Sequence, residues 1–145
     1  MFAFVPDFEH AVAVFLFSAV VDADDHHACE EALRTFTRRL GTTPLPVMLL
    51  VDESRCEKPG LGFPRLHETT PPMQTITLLA VVTPSGRGVL RAVGWAFSSR
   101  FLVYAAETLE EAVAWVERRR EAELSAVFQH LLAEARSVTG PDTGR

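Results

Sequence analysis

The stretch Ala11–Val51, AVAVFLFSAVVDADDHHACEEALRTFTRRLGTTPLPVMLLV, joins two apolar runs through a segment with helical periodicity. The runs are Ala11–Val21, which is broken only by Ser18, and Val47–Val51, and such apolar runs are typical of strands buried on both faces. Between them the spacing predicts a helix from about Ala23 to Leu40, with acidic residues at its start and arginines at its end. Its buried face is predicted to consist of Cys29, Ala32, Leu33, Phe36 and Leu40. The stretch therefore predicts a strand–helix–strand unit with parallel strands.

The segments on either side continue this alternation. Further strands are predicted at Phe2–Val5, Thr75–Val82 and Phe101–Tyr104, and the capping-box sequence Thr108-Leu-Glu-Glu111 predicts the start of another helix. Together these segments predict an α/β fold, with a mostly parallel or mixed sheet of four to five strands packed with helices. An extended helix is expected at the C-terminus.

Apolar residues recur at helical spacing beyond the charged segment Glu117–Glu123. A single helix of about 30 residues would span about 45 Å, which exceeds the width of a domain of this size. Two alternatives remain: the helix folds back through a break near Arg120, or its apolar stripe packs on another chain. The expected organisation is an α/β domain at 1–120, an amphipathic helical extension at 121–138 and a flexible tail at 139–145. The run Arg118–Arg120 is expected to be a solvated face.

Composition excludes several classes of protein. A chain of 145 residues, 48% hydrophobic and 23% charged, fits one folded domain and excludes disordered, collagen-like and coiled-coil proteins. The net charge of −5 argues against a general nucleic-acid binder. Two cysteines cannot form a disulfide framework. Because the N-terminus lacks the charges of a secretory signal and no apolar run reaches about 20 residues, a soluble cytoplasmic protein is expected, not an integral membrane protein.

Three stretches carry a resemblance to a known family: Pro46–Asp52, Leu78–Thr83 and Thr108–Val116. In this order they resemble the STAS superfamily, and most of all its divergent STAS-like or SpoIIAA-like branch, over about Ala11–Val116. The resemblance implies a bacterial regulatory protein in signalling that binds a protein partner without catalysing a reaction. In some branches it also implies a small apolar ligand.

The chain departs from the classical members of that family at their phosphorylated turn. Those members present a serine in an Asp-Ser-Ser-Gly-like turn, whereas the nearest counterpart here is Lys58–Gly62, KPGLG, which has no hydroxyl group. Ser54 lies upstream and is the candidate phosphorylation site.

Two other kinds of chemistry have candidate residues. The segment Asp24–Cys29, DDHHAC, contains metal-ligand types, but no second cluster offers a partner pair, so a solvated first turn with one core cysteine is expected and no metal. For nucleophilic catalysis, Ser54 and Cys56 are candidate nucleophiles and His67 is a candidate base, but the chain contains no elbow motif such as G-x-S-x-G.

The leading hypothesis is a non-enzymatic regulatory module that needs no cofactor and acts through protein–protein contact, as a homodimer or with another partner. Two surfaces are expected to carry it. The first is the strand-end edge at Asp52 and Ser54 with the loop to Met73. The second is an exposed C-terminal helix face made of Leu124, Val127, Phe128, Leu131 and Leu132. A carrier of a small apolar ligand is the alternative, and a small hydrolase using Ser54, Cys56 and His67 is third.

Overall fold

The computed structural model describes residues 1–20, 22–40, 45–54, 77–82 and 101–139. Within these ranges the chain forms five strands and three helices, which confirms the predicted α/β class. The strands are β1 (Phe2–Asp7), β2 (Val12–Ala19), β3 (Val47–Ser54), β4 (Thr77–Val82) and β5 (Phe101–Ala106); the helices are α1 (Ala23–Leu40), α2 (Leu109–Arg120) and α3 (Ser125–Val138).

The strands form one mixed sheet in the order β1-β2-β3-β4-β5. β1 pairs antiparallel with β2, from Phe2 opposite Phe17 to Asp7 opposite Val12, and the other three pairs are parallel. Among the described strands, β1 and β5 are therefore the two edges of the sheet. Pro6 lies within β1, where an edge strand tolerates a residue without an N–H donor.

Helix α1 covers one face of the sheet with the apolar stripe that its sequence predicts, and all five stripe residues are buried. The Phe36 ring lies edge-on to Phe4 and Phe15, with centroid distances of 6.2 Å to each. Such edge-to-face pairs add stability beyond the area that they bury. The helix starts with a reciprocal capping box, in which Asp22 N donates to Asp25 Oδ2 and Asp25 N donates to Asp22 Oδ1.

Helices α2 and α3 cover the opposite face, α2 over β4 and β5 and α3 over β1 and β2. The predicted start of α2 is confirmed, because Glu111 N donates to Thr108 Oγ1 at 3.2 Å. Glu121 ends α2 in a left-handed conformation with φ 53°, and the chain then reverses into α3. Of the two alternatives, the fold-back near Arg120 is the one found.

This reversal corrects the expectation of an exposed docking face on the C-terminal helix. Four residues of the expected face are buried in the core: Leu124, Phe128, Leu131 and Leu132. Val127 is partly buried and packs against the same core. The stripe is covered by β1 and β2 of its own chain, so its hydrophobicity no longer requires a partner.

Candidate functional site

The carboxyl ends of β2 and β3 carry the first surface expected from the sequence. Asp52 is half-buried in β3 opposite Phe17, and Ser54 ends the strand opposite Ala19. The neighbouring Glu53 accepts a hydrogen bond from Arg136 of α3. The Ser54 side chain, Cys56, His67 and the loop to Met73 lie outside the described residues, so neither the phosphorylation site nor the hydrolase arrangement is placed.

The acidic start of α1 serves to cap the helix. The hydrogen bond from Asp25 N to Asp22 is the main cause that holds the pKa of Asp22 below its usual value. Cys29 is 2% exposed, and burial raises the pKa of its thiol well above the usual value. Cys29 therefore lies in the core, as the sequence predicts.

A second polar cluster, which the sequence did not single out, lies at the turn between β1 and β2. One ligand-type atom from each of Asp7, Glu9 and His10 lies within 4.8 Å of the others. Asp7 accepts from His10 N at 3.0 Å and contacts its Nδ1 at 2.8 Å. Burial alone raises the pKa of Asp7, but the hydrogen bonds and charge of His10 outweigh it and lower that pKa. These bonds close the turn.

Arg120 joins α2 to this same end of the sheet. Its guanidinium donates to Leu45 O at 3.2 Å and to His10 O at 2.9 Å. Partial burial lowers the pKa of Arg120. The expected solvated face is thus correct for Arg118 and Arg119, which are exposed, and wrong for Arg120, which fixes two backbone segments.

An open groove of about 170 Å³ runs between α2 and α3. Val113 and Phe128 contribute to its apolar lining, and Glu117 lies among its polar residues. Pockets that enclose small organic ligands usually measure about 300–1,000 Å³. The groove is therefore too small to enclose a lipid-like molecule.

The outer edge of β5 is the most distinctive surface in the described part of the chain. The strand reads FLVYAA, without a charged residue, a proline or a glycine. Leu102 is 38% exposed, and the following three residues are partly exposed. Among the described strands only β4 pairs with β5. Edge strands in soluble proteins are usually protected by charge, proline or a bulge, because their unpaired backbone groups attract other strands.

The register of the ladder shows which backbone groups point away from the sheet. Leu78 N donates to Pro46 O at 2.8 Å, so the backbone groups of Leu78 face β3. Since these groups alternate along a strand, those of Leu79 and Val81 face β5. With Leu79 opposite Val103, the β5 groups that complete this ladder belong to Leu102, Tyr104 and Ala106.

The N–H and C=O groups of the three alternate residues Phe101, Val103 and Ala105 consequently point outward. Helix α2 supports the strand behind them. The Tyr104 ring stacks on Trp115 with centroids 5.2 Å apart and an interplanar angle of 12°. The guanidinium of Arg119 lies 5.5 Å from the centre of the Trp115 ring. Because Trp115 is 7% exposed, this stack fixes β5 to a buried side chain, and the edge is held in an extended, regular form.

Sequence reasoning placed a short strand at Phe101–Tyr104 but did not recognise it as an edge. Pro6 and Asp7 mark β1 as an edge strand, whereas β5 contains neither a proline nor a charge and has the composition of a central strand. What the sequence does not contain is the order of strands in the sheet, which depends on contacts between distant segments.

Comparison with protein families, with characterised proteins and with solved structures finds no match to this chain. The resemblance to the STAS superfamily therefore stays a prediction. No helix among the described residues is both long and apolar enough to cross a membrane.

Proposed function

We propose that this chain is a non-enzymatic regulatory module of the cytoplasm that acts by binding another protein, and that the outer edge of β5 is its docking surface. The observation that carries the proposal is the outward N–H and C=O groups of Phe101, Val103 and Ala105 on an uncharged strand. An incoming extended segment gains main-chain hydrogen bonds at such an edge without displacing any described strand or helix.

The two edges of the sheet differ in a way that supports this choice. β1 carries Pro6, which removes an N–H donor, and Asp7, which adds a charge. Both α1 and α3 also contact β1. These features protect an edge from pairing, and β5 has no counterpart of Pro6 or Asp7 within its sequence. The family resemblance, which implies a protein partner, points in the same direction.

The other two candidate functions have less support. Among the described residues, the groove between α2 and α3 is too small to enclose a lipid-like ligand, so it gives no support to the carrier. No observation among the described residues favours the small hydrolase.

The test is capture of partners by the tagged chain from its native lysate, with two matched variants. Leu102→Lys places a charge on the exposed edge, whereas Val138→Lys places the same charge on α3, where Val138 is 64% exposed. Both substitutions change an exposed residue, so free energies of unfolding within about 0.5 kcal/mol of that of the unmodified chain are expected.

A protein recovered with the unmodified chain and with Val138→Lys, but reduced at least tenfold with Leu102→Lys, supports the proposal. Equal recovery with both variants contradicts it. Recovery of no protein, together with a monomeric chain, also contradicts it.

A further inference from the structure

We infer that the strand that docks on β5 is β5 of a second copy. The two strands pair antiparallel about a two-fold axis that passes midway between the two copies of Val103. The inference rests on the proposed function, because it names the occupant of the edge proposed there. Pairing of identical surfaces about a two-fold axis forms a closed dimer, and the sheet becomes continuous across ten strands.

The outward backbone groups select the register. In an antiparallel pair, residues that exchange two hydrogen bonds lie opposite each other and both face their partner. On β5 these residues are Phe101, Val103 and Ala105. The arrangement that uses all three sets Val103 opposite Val103 of the second copy and Phe101 opposite its Ala105. Six main-chain hydrogen bonds then join the copies.

Side-chain chemistry is compatible with this register. Leu102 lies opposite Tyr104 of the second copy, and every pair within the ladder is uncharged. The exposed Glu107 follows the strand, and the two copies of Glu107 lie at opposite ends of an antiparallel ladder. In a parallel pair these carboxylates would be neighbours, which is destabilising. The antiparallel direction is therefore favoured.

Helix α2 provides a second contact between the copies. It lies over β4 and β5, so the two copies of α2 are separated by two strand spacings, about 10 Å, which is close to the packing distance of helices. They run antiparallel. The acidic first turn of one copy, with Glu110 and Glu111, then lies towards the basic last turn of the other, with Arg118 and Arg119. The charges of the two helices are complementary in this arrangement.

Disulfide trapping tests the register directly. In a Cys56→Ser background, with Cys29 buried, the variant Val103→Cys places its two sulfur atoms close together on either side of the two-fold axis. Opposed Cα atoms there are about 5.5 Å apart, within the range that a disulfide spans. The matched control Leu102→Cys sets its two Cα atoms about 8 Å apart, which is too far. Mild oxidation is expected to convert at least half of Val103→Cys to a covalent dimer and less than a tenth of Leu102→Cys.

Sedimentation equilibrium of the unmodified chain and of Leu102→Lys gives a second measurement that needs no cysteine. The inference predicts a dimer for the unmodified chain and a monomer for Leu102→Lys. A dimer that persists in Leu102→Lys, or trapping of Leu102→Cys in preference to Val103→Cys, overturns it.

The two proposals fail in different ways. In the first case, the chain is monomeric and binds a different protein, and this binding is lost in Leu102→Lys. That result would contradict the second copy as the occupant of the edge and would still support the docking function. A monomeric chain with no partner that depends on Leu102 overturns both.

Discussion

At the scale of residues, a single side chain of α2 caps the start of α3. Helix α3 begins without a side-chain cap from Leu124 and without an acidic residue in its first turn. Glu117 of α2 supplies both functions, because its carboxylate accepts from Leu124 N at 2.8 Å and from Ser125 N and Oγ at 3.1 Å each. The first residue of the charged segment Glu117–Glu123 is thus the cap of the following helix.

Substitution Glu117→Ala is expected to lower the free energy of unfolding by roughly 1 kcal/mol at neutral pH, which is the usual effect of removing a cap. Urea unfolding measures this difference. Glu123→Ala, an exposed neighbour, is the control and is expected to change stability by less than about 0.5 kcal/mol.

The difference in free energy of unfolding between the unmodified chain and Glu117→Ala depends on pH. Hydrogen bonds from Leu124 and Ser125 lower the pKa of Glu117 below its ordinary value of 4.5. A carboxyl group with a lowered folded-state pKa stabilises the protein fully above its ordinary pKa, and this contribution is lost as the pH falls through the folded-state value. The difference between the two proteins should therefore be constant above about pH 5.5 and shrink below 4.5. A difference that grows on acidification would contradict the cap.

At the scale of elements, the sequence predicts what each segment becomes better than what it contacts. The bounds of α1 and the starts of α1 and α2 follow from local signals, namely apolar periodicity and the capping residues around Asp22 and Thr108. The apolar stripe of α3 is equally plain, but periodicity does not say which surface covers it. Likewise FLVYAA has the composition of a central strand, and only the sheet order makes it an edge.

The stripe of α3 leads to a prediction about stability. Leu131 is 4% exposed in the core between α3 and the sheet, so Leu131→Ala is expected to lower the free energy of unfolding by about 2–5 kcal/mol. Thermal and urea unfolding measure the change. Leu131→Asp should unfold the chain, because it buries an unpaired charge.

Val138→Ala is the control on the same helix, since Val138 is 64% exposed. A Leu131→Ala variant as stable as Val138→Ala would mean that α3 does not pack on its own sheet, and the stripe would again need a partner chain.

At the scale of the whole molecule, the two faces and the two edges of the sheet have different roles. Both faces carry buried cores, one under α1 and the other under α2 and α3. Arg120 links the helical layer to the ends of β1 and β3 through the carbonyl groups of His10 and Leu45. β1 is protected by its proline and its flanking helices, whereas β5 presents an uncharged edge. We therefore attribute stability to the two faces and propose that one edge carries binding.

The most direct test of that assignment is hydrogen exchange of the β5 amides, measured by NMR on the dilute chain, on the concentrated chain and on the chain with any captured partner. Tyr104 N–H faces β4 and serves as the internal reference. We expect the outward amides of Val103 and Ala105 to exchange freely in the dilute chain and to slow at least tenfold when the edge is occupied, while the Tyr104 amide stays slow throughout. Outward amides that are already as slow as Tyr104 in the dilute chain, or that stay fast in every sample, would contradict that assignment.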